Sequence, residues 1–357
     1  VRTVNRAMDV AIPALLFAGI LAQRLPGRWP IAAFHSGVFL TGIVWMLTRR
    51  EPAPRSRLVV VLAGVVALAL VQLAAGLTVY RWSTVNALLY WTANLTLFVV
   101  AIDTFAQPAP RERFLRSCVY FGAAASLLFI FGFNTFPNRN HYAAFVELLL
   151  PLAVVAAVDR ARSSLLHLVL AALLYASVIA AASRAGVVLV TLELIVILAI
   201  HRNRRSAALA GLAVAFCAVI GWERLAGRFP GDPFVMRREY FQSSVAMLRD
   251  RPLAGFGLGA WAIVYPGYAL FDDGRFANHA HNDWIQWIVE GGLPMFLLML
   301  AIAALSIRPA VRSLWGIGVP AVFLHSLVDY PLERPAMAGF FFVFLAILET
   351  VQNRPEP

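Results

Sequence analysis

The sequence predicts an all-α, polytopic membrane bundle of about 12 transmembrane helices with one large outside loop carrying short helices. Three observations predict it. The 357 residues are 61% hydrophobic and 14% charged, with a mean hydropathy of +0.74, whereas a soluble domain is about 45–50% apolar and about 25% charged. Apolar runs close to the ~20 residues needed to cross a hydrocarbon core recur along the chain. The arginines between those runs alternate between rich and poor connections. Disorder, a fibrous repeat and a small secreted scaffold are excluded by the same composition.

Breaks at charged residues, Pro and Gly divide the chain into 12 candidate spans. They lie near 8–23, 31–48, 58–77, 84–102, 116–133, 141–158, 163–182, 185–200, 206–221, 285–306, 314–328 and 336–351. The first run is expected to belong to the membrane domain, because no small-residue cleavage site follows it. The shortest signals are 185–200, 206–221 and 314–328, and losing one would invert everything after it. All 1–357 then form a single transmembrane domain, with residues 222–284 as a loop between the ninth and tenth spans.

Charge sets the orientation. The formal net charge is +11, and all 30 basic residues are Arg. Codon bias is the plain explanation for Arg in place of Lys, but it does not account for position. With the N-terminus inside, 17 arginines fall on inside segments and six on short outside connections (Arg24, Arg28, Arg81, Arg139, Arg184 and Arg334). That asymmetry obeys the positive-inside rule and places both termini inside. The remaining seven lie in the 222–284 loop. A connection of that length usually carries function. Within it, Arg237–Arg249 sets Tyr240, Phe241, Val245 and Leu248 at helical spacing, which predicts an amphipathic helix at the interface. Gly255, Gly257 and Gly259 after Pro252 predict a turn; neither the strand nor the helix of a dinucleotide fingerprint flanks them. Cys118 and Cys217 are expected to be free, buried thiols.

The densest polar cluster is Asp272, Asp273, Arg275, Asn278, His279, His281, Asn282 and Asp283, leading into the span at Ile285. A histidine here suits proton abstraction from a hydroxyl. The alternative is a solvated loop histidine, with Asn282 or Asp283 capping the next helix. His279 and His281 have neither a third His nor a Cys nearby, so no metal is expected. Arg139, Arg184, Arg237 and Arg238 stand on the same outside face. One arginine alone reads as a side chain snorkelling to membrane lipids. Several together can grip a diphosphate, because a guanidinium fork never loses its charge. Glu147 lies about 10 Å past Asn140 along its helix, and is either a packing residue or a partner for an arginine. Glu193 reads as structural. His325 and Asp329 share a helix face, and either pair with each other or face the cavity of His281.

In this order the fragments resemble the O-antigen ligase/polymerase superfamily of bacterial membrane glycosyltransferases. The matching pieces begin with Phe136-Pro-Asn-Arg-Asn-His-Tyr-Ala143, Leu-Pro-Leu at 150–152, and Ser183-Arg-Ala-Gly186. Arg237 four residues before Phe241 follows, then Arg249-Asp-Arg-Pro-Leu-Ala-Gly-Phe-Gly-Leu-Gly259. His281-Asn-Asp-Trp-Ile-Gln286, Glu290-Gly-Gly-Leu293 and His325-Ser-Leu-Val-Asp-Tyr330 complete the set. The resemblance covers roughly residues 130–350; the first four spans match by hydropathy alone. The chain departs from the pattern in being shorter than many members and in having Phe241 where tryptophan is common.

The resemblance implies a GT-C-like bundle in the bacterial inner membrane, with cytoplasmic termini and an active site on the periplasmic face. It implies metal-independent, inverting transfer of a glycan from undecaprenyl diphosphate to an acceptor hydroxyl, without a cofactor. The acceptor would be the lipid A core in a ligase or a growing glycan in a polymerase. His281 or His279 would be the base, with Arg184 and Arg237 on the diphosphate, Arg238 and Arg139 beside them, and Asn140, Asn282, Glu147 and Asp329 in support. Nucleic acid is not an expected partner. The competing expectation is a transporter of small anions or lipid-linked sugars. Against it, no matched pair of broken spans is visible and the polar groups gather at one surface.

Overall fold

The computed structural model describes residues 2–49, 55–133, 135–159, 165–221, 235–271, 274 and 276–352. Asp272, Asp273 and Arg275 of the polar cluster, and residues 222–234 of the long loop, lie outside these. Among the described residues the protein is all-helical. Nine helices precede the loop: α1 (Arg2–Leu21), α2 (Trp29–Thr48), α3 (Arg57–Ala74), α4 (Arg81–Phe105), α5 (Pro108–Ile130), α6 (Arg139–Val158), α7 (Leu165–Ala181), α8 (Arg184–Ile200) and α9 (Arg204–Phe216). The loop carries α10 (Val235–Asp250), and α11 (Asp283–Arg312), α12 (Gly318–His325) and α13 (Pro335–Gln352) follow it.

Helix therefore occupies each of the 12 apolar segments. Seven helices, α1 to α6 and α11, are long and apolar enough to cross a membrane by length and composition. Cys118 is a buried free thiol, but Cys217 is only half-buried, 3.4 Å from the Tyr175 hydroxyl. Several starts are capped by the side chains that local chemistry favours. Ser56, Asn138, Ser183, Asn203 and Asn282 each accept a backbone N–H of the first turn of α3, α6, α8, α9 and α11.

Helix α6 is the axis of the bundle. Within its apolar window 89% of residues are buried inside the protein, against at most 39% for the other six long helices. A helix that is apolar on every side must be surrounded, and α6 packs against α7, α8 and α12. Helix α13 is the second buried element, packed on α4 and α1, with Ala336 through Leu348 nearly all inside.

Connections that the arginine count places together do meet. At one end Trp45 and Arg49 of the α2 terminus both reach Asp103 of α4, at 2.8 and 3.4 Å. On the same basis Arg113 pairs with Asp9 at 2.7 Å, Ser56 with Glu349 at 2.7 Å, and Asn203 with the Val158 carbonyl at 2.9 Å. The opposite end gathers the α3–α4 connection, the starts of α6, α8 and α11, the α12–α13 connection and the loop.

Helix α11 is not the uninterrupted span that hydropathy predicts. It breaks at Gly292, whose φ of 65° and ψ of −165° are open essentially to glycine alone. The GFGLG run is a turn, as expected, and it plugs this break. Phe256 and Gly257 donate to the carbonyls of Val289 and Glu290 at 3.1 and 2.9 Å, and Leu293 donates to Pro252 at 3.0 Å. The freed helix groups are thereby satisfied by protein. Gln72 of α3 closes the arrangement: its amide donates to the carbonyls of Ala254 and Glu290, and accepts from Leu258 N–H, each at 3.0 Å. The Glu290 carboxylate accepts from Gly259 and Trp261 N–H at 2.8 and 3.1 Å. A Cβ on Gly292 would stand 2.1 Å from the Leu253 carbonyl oxygen. Gly292→Ala is therefore expected to destabilise the protein by at least about 2 kcal/mol, measured as a fall in melting temperature in detergent.

Helix α10 forms over the expected residues, and of the four at helical spacing Tyr240 is buried and Val245 and Leu248 pack against the loop's core. Glu239, Tyr240, Ser243, Ser244 and Met247 are inside, while Phe241 is 48% exposed. The inner face is polar because it serves hydrogen bonds. Ser244 accepts from the Trp261 indole at 2.9 Å, and Glu239 accepts from Tyr265, Ser243 and Leu270 N–H at 2.6, 2.9 and 3.1 Å. The helix thus covers the loop's own core of Phe256, Trp261, Tyr265, Ala280 and Val289.

Candidate active site

The site is organised on Asp329, in the turn after α12. Its carboxylate is buried, and five groups from four elements face it. Asn140 at the start of α6 donates its side-chain amide to Oδ2, and Arg237 of α10 lies 3.4 Å from the same oxygen. His141 Nε2 and His281 Nδ1 each lie 3.6 Å from Oδ1, and Tyr330 N–H donates to it at 2.9 Å. Burial opposes the charge on Asp329, but the His141 and His281 rings outweigh it and hold the carboxyl well below its ordinary range. Asp329 is thus an anion throughout the physiological range.

Helix caps place these groups. Ser183 caps α8 by accepting from Gly186 N–H at 3.3 Å, and its hydroxyl donates to Asn140 Oδ1 at 2.9 Å. The starts of α6 and α8 are thereby bolted together, with their positive dipole ends toward one cleft. Asn282 caps α11 at 3.1 Å, and its amide donates to the Leu327 carbonyl at 2.8 Å. Asp283 reinforces that seam, donating from N–H to Ser326 at 2.9 Å and accepting from the Ser326 hydroxyl at 2.8 Å. Asn282 thereby fixes the backbone next to His281.

His281 has a positive φ of 53°, a conformation uncommon outside glycine that recurs at functional sites. Its ring stacks on Tyr240 at 5.8 Å and meets the Tyr330 ring edge-on at 4.7 Å. The side chain is 32% exposed while Nδ1 is buried toward Asp329, so the accessible edge is the other one.

Arg139, Asn140, Arg184, Arg237, His325 and Asp329 line a narrow polar cleft of about 40 Å³ beside this pair. The structure so brings together Asn140, Arg139, Arg184, Arg237, Asp329 and, across Asp329, His281. It leaves four expected residues elsewhere. Arg238 is exposed and is not among the cleft-lining residues, because one residue along a helix turns about 100° from Arg237. His279 stacks on Tyr330 at 4.3 Å, and its Nδ1 accepts from the Gln286 amide at 3.3 Å. Glu147 meets no arginine; it binds His325 Nδ1 at 2.7 Å beneath the cleft. Asn282 is in the seam described above. Glu193 is buried and its oxygens have no hydrogen-bond partner, in keeping with a packing role.

Two contributors were missed. His141 touches Asp329 and packs edge-on against Tyr330 at 4.7 Å, and Tyr330 itself is the ring on which His141, His279 and His281 all rest. The available signal was adjacency, since one follows Asn140 and the other Asp329.

Burial, and then the charge of Arg334, push the His279 imidazole down to about 3. Its folded value is below the ordinary one, so the unfolded chain takes up this proton first. The ring accordingly costs stability as pH falls from about 6.5 toward about 3. Between pH 5 and 8 it stays neutral in the folded protein. His279→Gln is expected to leave the acid limb of a pH–kcat profile unmoved, whereas a limb shifted by half a unit or more would identify His279 as the titrating base.

No curated protein matches the chain in sequence. A family model described as O-antigen ligase matches residues 168–300, which include the Arg184 cap, α10, the GFGLG turn and the His281 seam. Over that stretch the chain is similar to the O-antigen ligase family.

Proposed function

We propose that the protein is a membrane glycosyltransferase that moves a glycan from a lipid diphosphate, undecaprenyl diphosphate, to an acceptor hydroxyl. The observation that carries this is the His281–Asp329 pair at the edge of a cleft lined by Arg139, Arg184 and Arg237. The accessible nitrogen of His281 takes the proton of the acceptor hydroxyl as the acceptor oxygen bonds to the anomeric carbon. The bond from that carbon to the diphosphate oxygen breaks on the opposite face, giving inversion. Asp329 balances the imidazolium that forms, and its 3.6 Å separation from Nδ1 is expected to tighten once substrate binds. The three arginines neutralise the departing diphosphate, so the step needs no metal. Arg237, 3.4 Å from Asp329 in the resting structure, would turn from that carboxylate to phosphate as the donor binds.

The finer account is 12 spans with both termini cytoplasmic, 222–284 as a periplasmic loop, and the site on the periplasmic face. It is supported by the clustering of the arginine-poor connections around Asp329 and of the arginine-rich ones at the other end. A transporter would need its polar groups near the midplane; here the cleft sits among helix ends. The acceptor class is read from a strain lacking the protein. Long polymer stranded on its lipid carrier identifies a ligase acting on the lipid A core, and single repeat units identify a polymerase. An unaltered surface glycan profile contradicts both.

A further inference from the structure

One pair of charged side chains at the cleft has no part in the chemistry above. Glu147 of α6 and His325 of α12 are both completely buried, and His325 Nδ1 is 2.7 Å from Glu147 Oε1. No other polar group completes the pair: Glu147 Oε2 and His325 Nε2 are buried without a hydrogen-bond partner. A carboxylate buried alone is strongly penalised, and the imidazole at 2.7 Å shares one proton with it in this pair. With Nδ1 given to Glu147, that leaves Nε2–H as a buried donor that nothing among the described residues accepts, a rare and costly situation. His325 also lines the cleft with Arg139, Arg184 and Arg237. Residues 178 positions apart have been brought together to hold this donor against the floor of an anion site.

We propose that His325, held and charged by Glu147, is a further direct donor to the diphosphate, through Nε2. It rests on the cleft being the diphosphate site. The phosphate oxygen would supply the acceptor that Nε2 lacks, and the fixed imidazolium would add to the arginines a donor that needs no side-chain ordering. Asp329 lies four residues on, in the turn that follows α12, so the two residues would divide the work: Asp329 for the base, His325 for the leaving group.

The test uses the full-length protein in nanodiscs and a polyprenyl diphosphate bearing no glycan. Its affinity is measured for wild type, His325→Phe, His325→Gln, the double variant His325→Phe/Glu147→Leu, and Arg184→Ala. The expected result is binding weakened at least about tenfold by His325→Phe and by the double variant. Gln, which retains an N–H donor without charge, should fall between. The double variant is expected to melt no lower than wild type, because an incomplete buried ion pair exchanged for apolar residues is often neutral or stabilising. Two results overturn the proposal. One is binding by His325→Phe within twofold of wild type. The other is loss of binding that follows a fall in melting temperature across the variants, as a purely structural pair would give. Arg184→Ala separates the two levels. If it weakens binding while the His325 variants do not, only this proposal fails; if neither does, the cleft is not the diphosphate site.

Discussion

Replacing His281 with alanine is expected to lower kcat for glycan transfer by about 10²–10⁴-fold, the usual contribution of a positioned general base. Affinity for the lipid diphosphate should hardly change, since His281 lies across Asp329 from the cleft and is not among its lining residues. The effect should not be recovered by His279, whose Nδ1 is engaged by Gln286 and whose ring binds a proton only near pH 3. Two comparisons sharpen the result. Asp329→Asn keeps the size of the orienting group but removes the charge that balances an imidazolium, so it should reproduce much of the His281 loss in kcat. Folding should suffer as well, because Asn140, Arg237 and the His141 ring lose their shared anion. Transfer measured at saturating donor and acceptor separates the two, and a His281→Ala enzyme within a few-fold of wild type would remove the base from the account.

The second large effect is expected at the arginines. Arg184→Ala should reduce kcat/KM by about 10²–10³-fold, the scale for removing one fixed donor that faces developing charge. Arg237→Ala should do likewise. In the resting structure Arg237 lies 3.4 Å from Asp329, so its loss also frees that carboxylate toward His281, and part of the defect in binding should be offset in kcat. Arg238→Ala is the internal control. It is adjacent in sequence but outside the cleft lining, and a change beyond about threefold there would place the diphosphate elsewhere. Steady-state kinetics on the three variants, with melting temperatures alongside, would check all three.

How far these features can be read from the sequence differs from one to the next, for physical reasons. Apolar runs and arginine placement are one-dimensional properties, so the helices and the two sets of connections follow from them. The start of α5 follows a proline at its first position rather than hydropathy: the helix begins at Pro108 rather than near 116. The break at Gly292 was present as Glu-Gly-Gly-Leu-Pro but carries no hydropathy signal, and the turn that fills it comes from 30 or more residues away. In α10 apolar spacing finds Tyr240, Val245 and Leu248, but not the buried Glu239 and Ser244, whose partners Tyr265 and Trp261 lie elsewhere in the loop. Within the site, motif residues pointed to His281, Arg184, Arg237, Asn140 and Asp329, which do converge. They could not rank neighbours: Arg237 over Arg238 depends on helix rotation, and His281 over His279 depends on which ring faces Asp329. Glu147 and His325 were each noticed singly, but their contact is a tertiary fact.

The central claim is the making of a glycosidic bond at the His281–Asp329 cleft, and the purified protein can be asked directly. Wild type in proteoliposomes would be incubated with a lipid-diphosphate glycan, candidate acceptors and a metal chelator, and the products resolved by mass and anomeric configuration. The account predicts acceptor-linked glycan with inverted configuration, formed one-for-one with free lipid diphosphate and unaffected by the chelator. Labelled lipid crossing the membrane with no new bond, or product only when metal is restored, would contradict it.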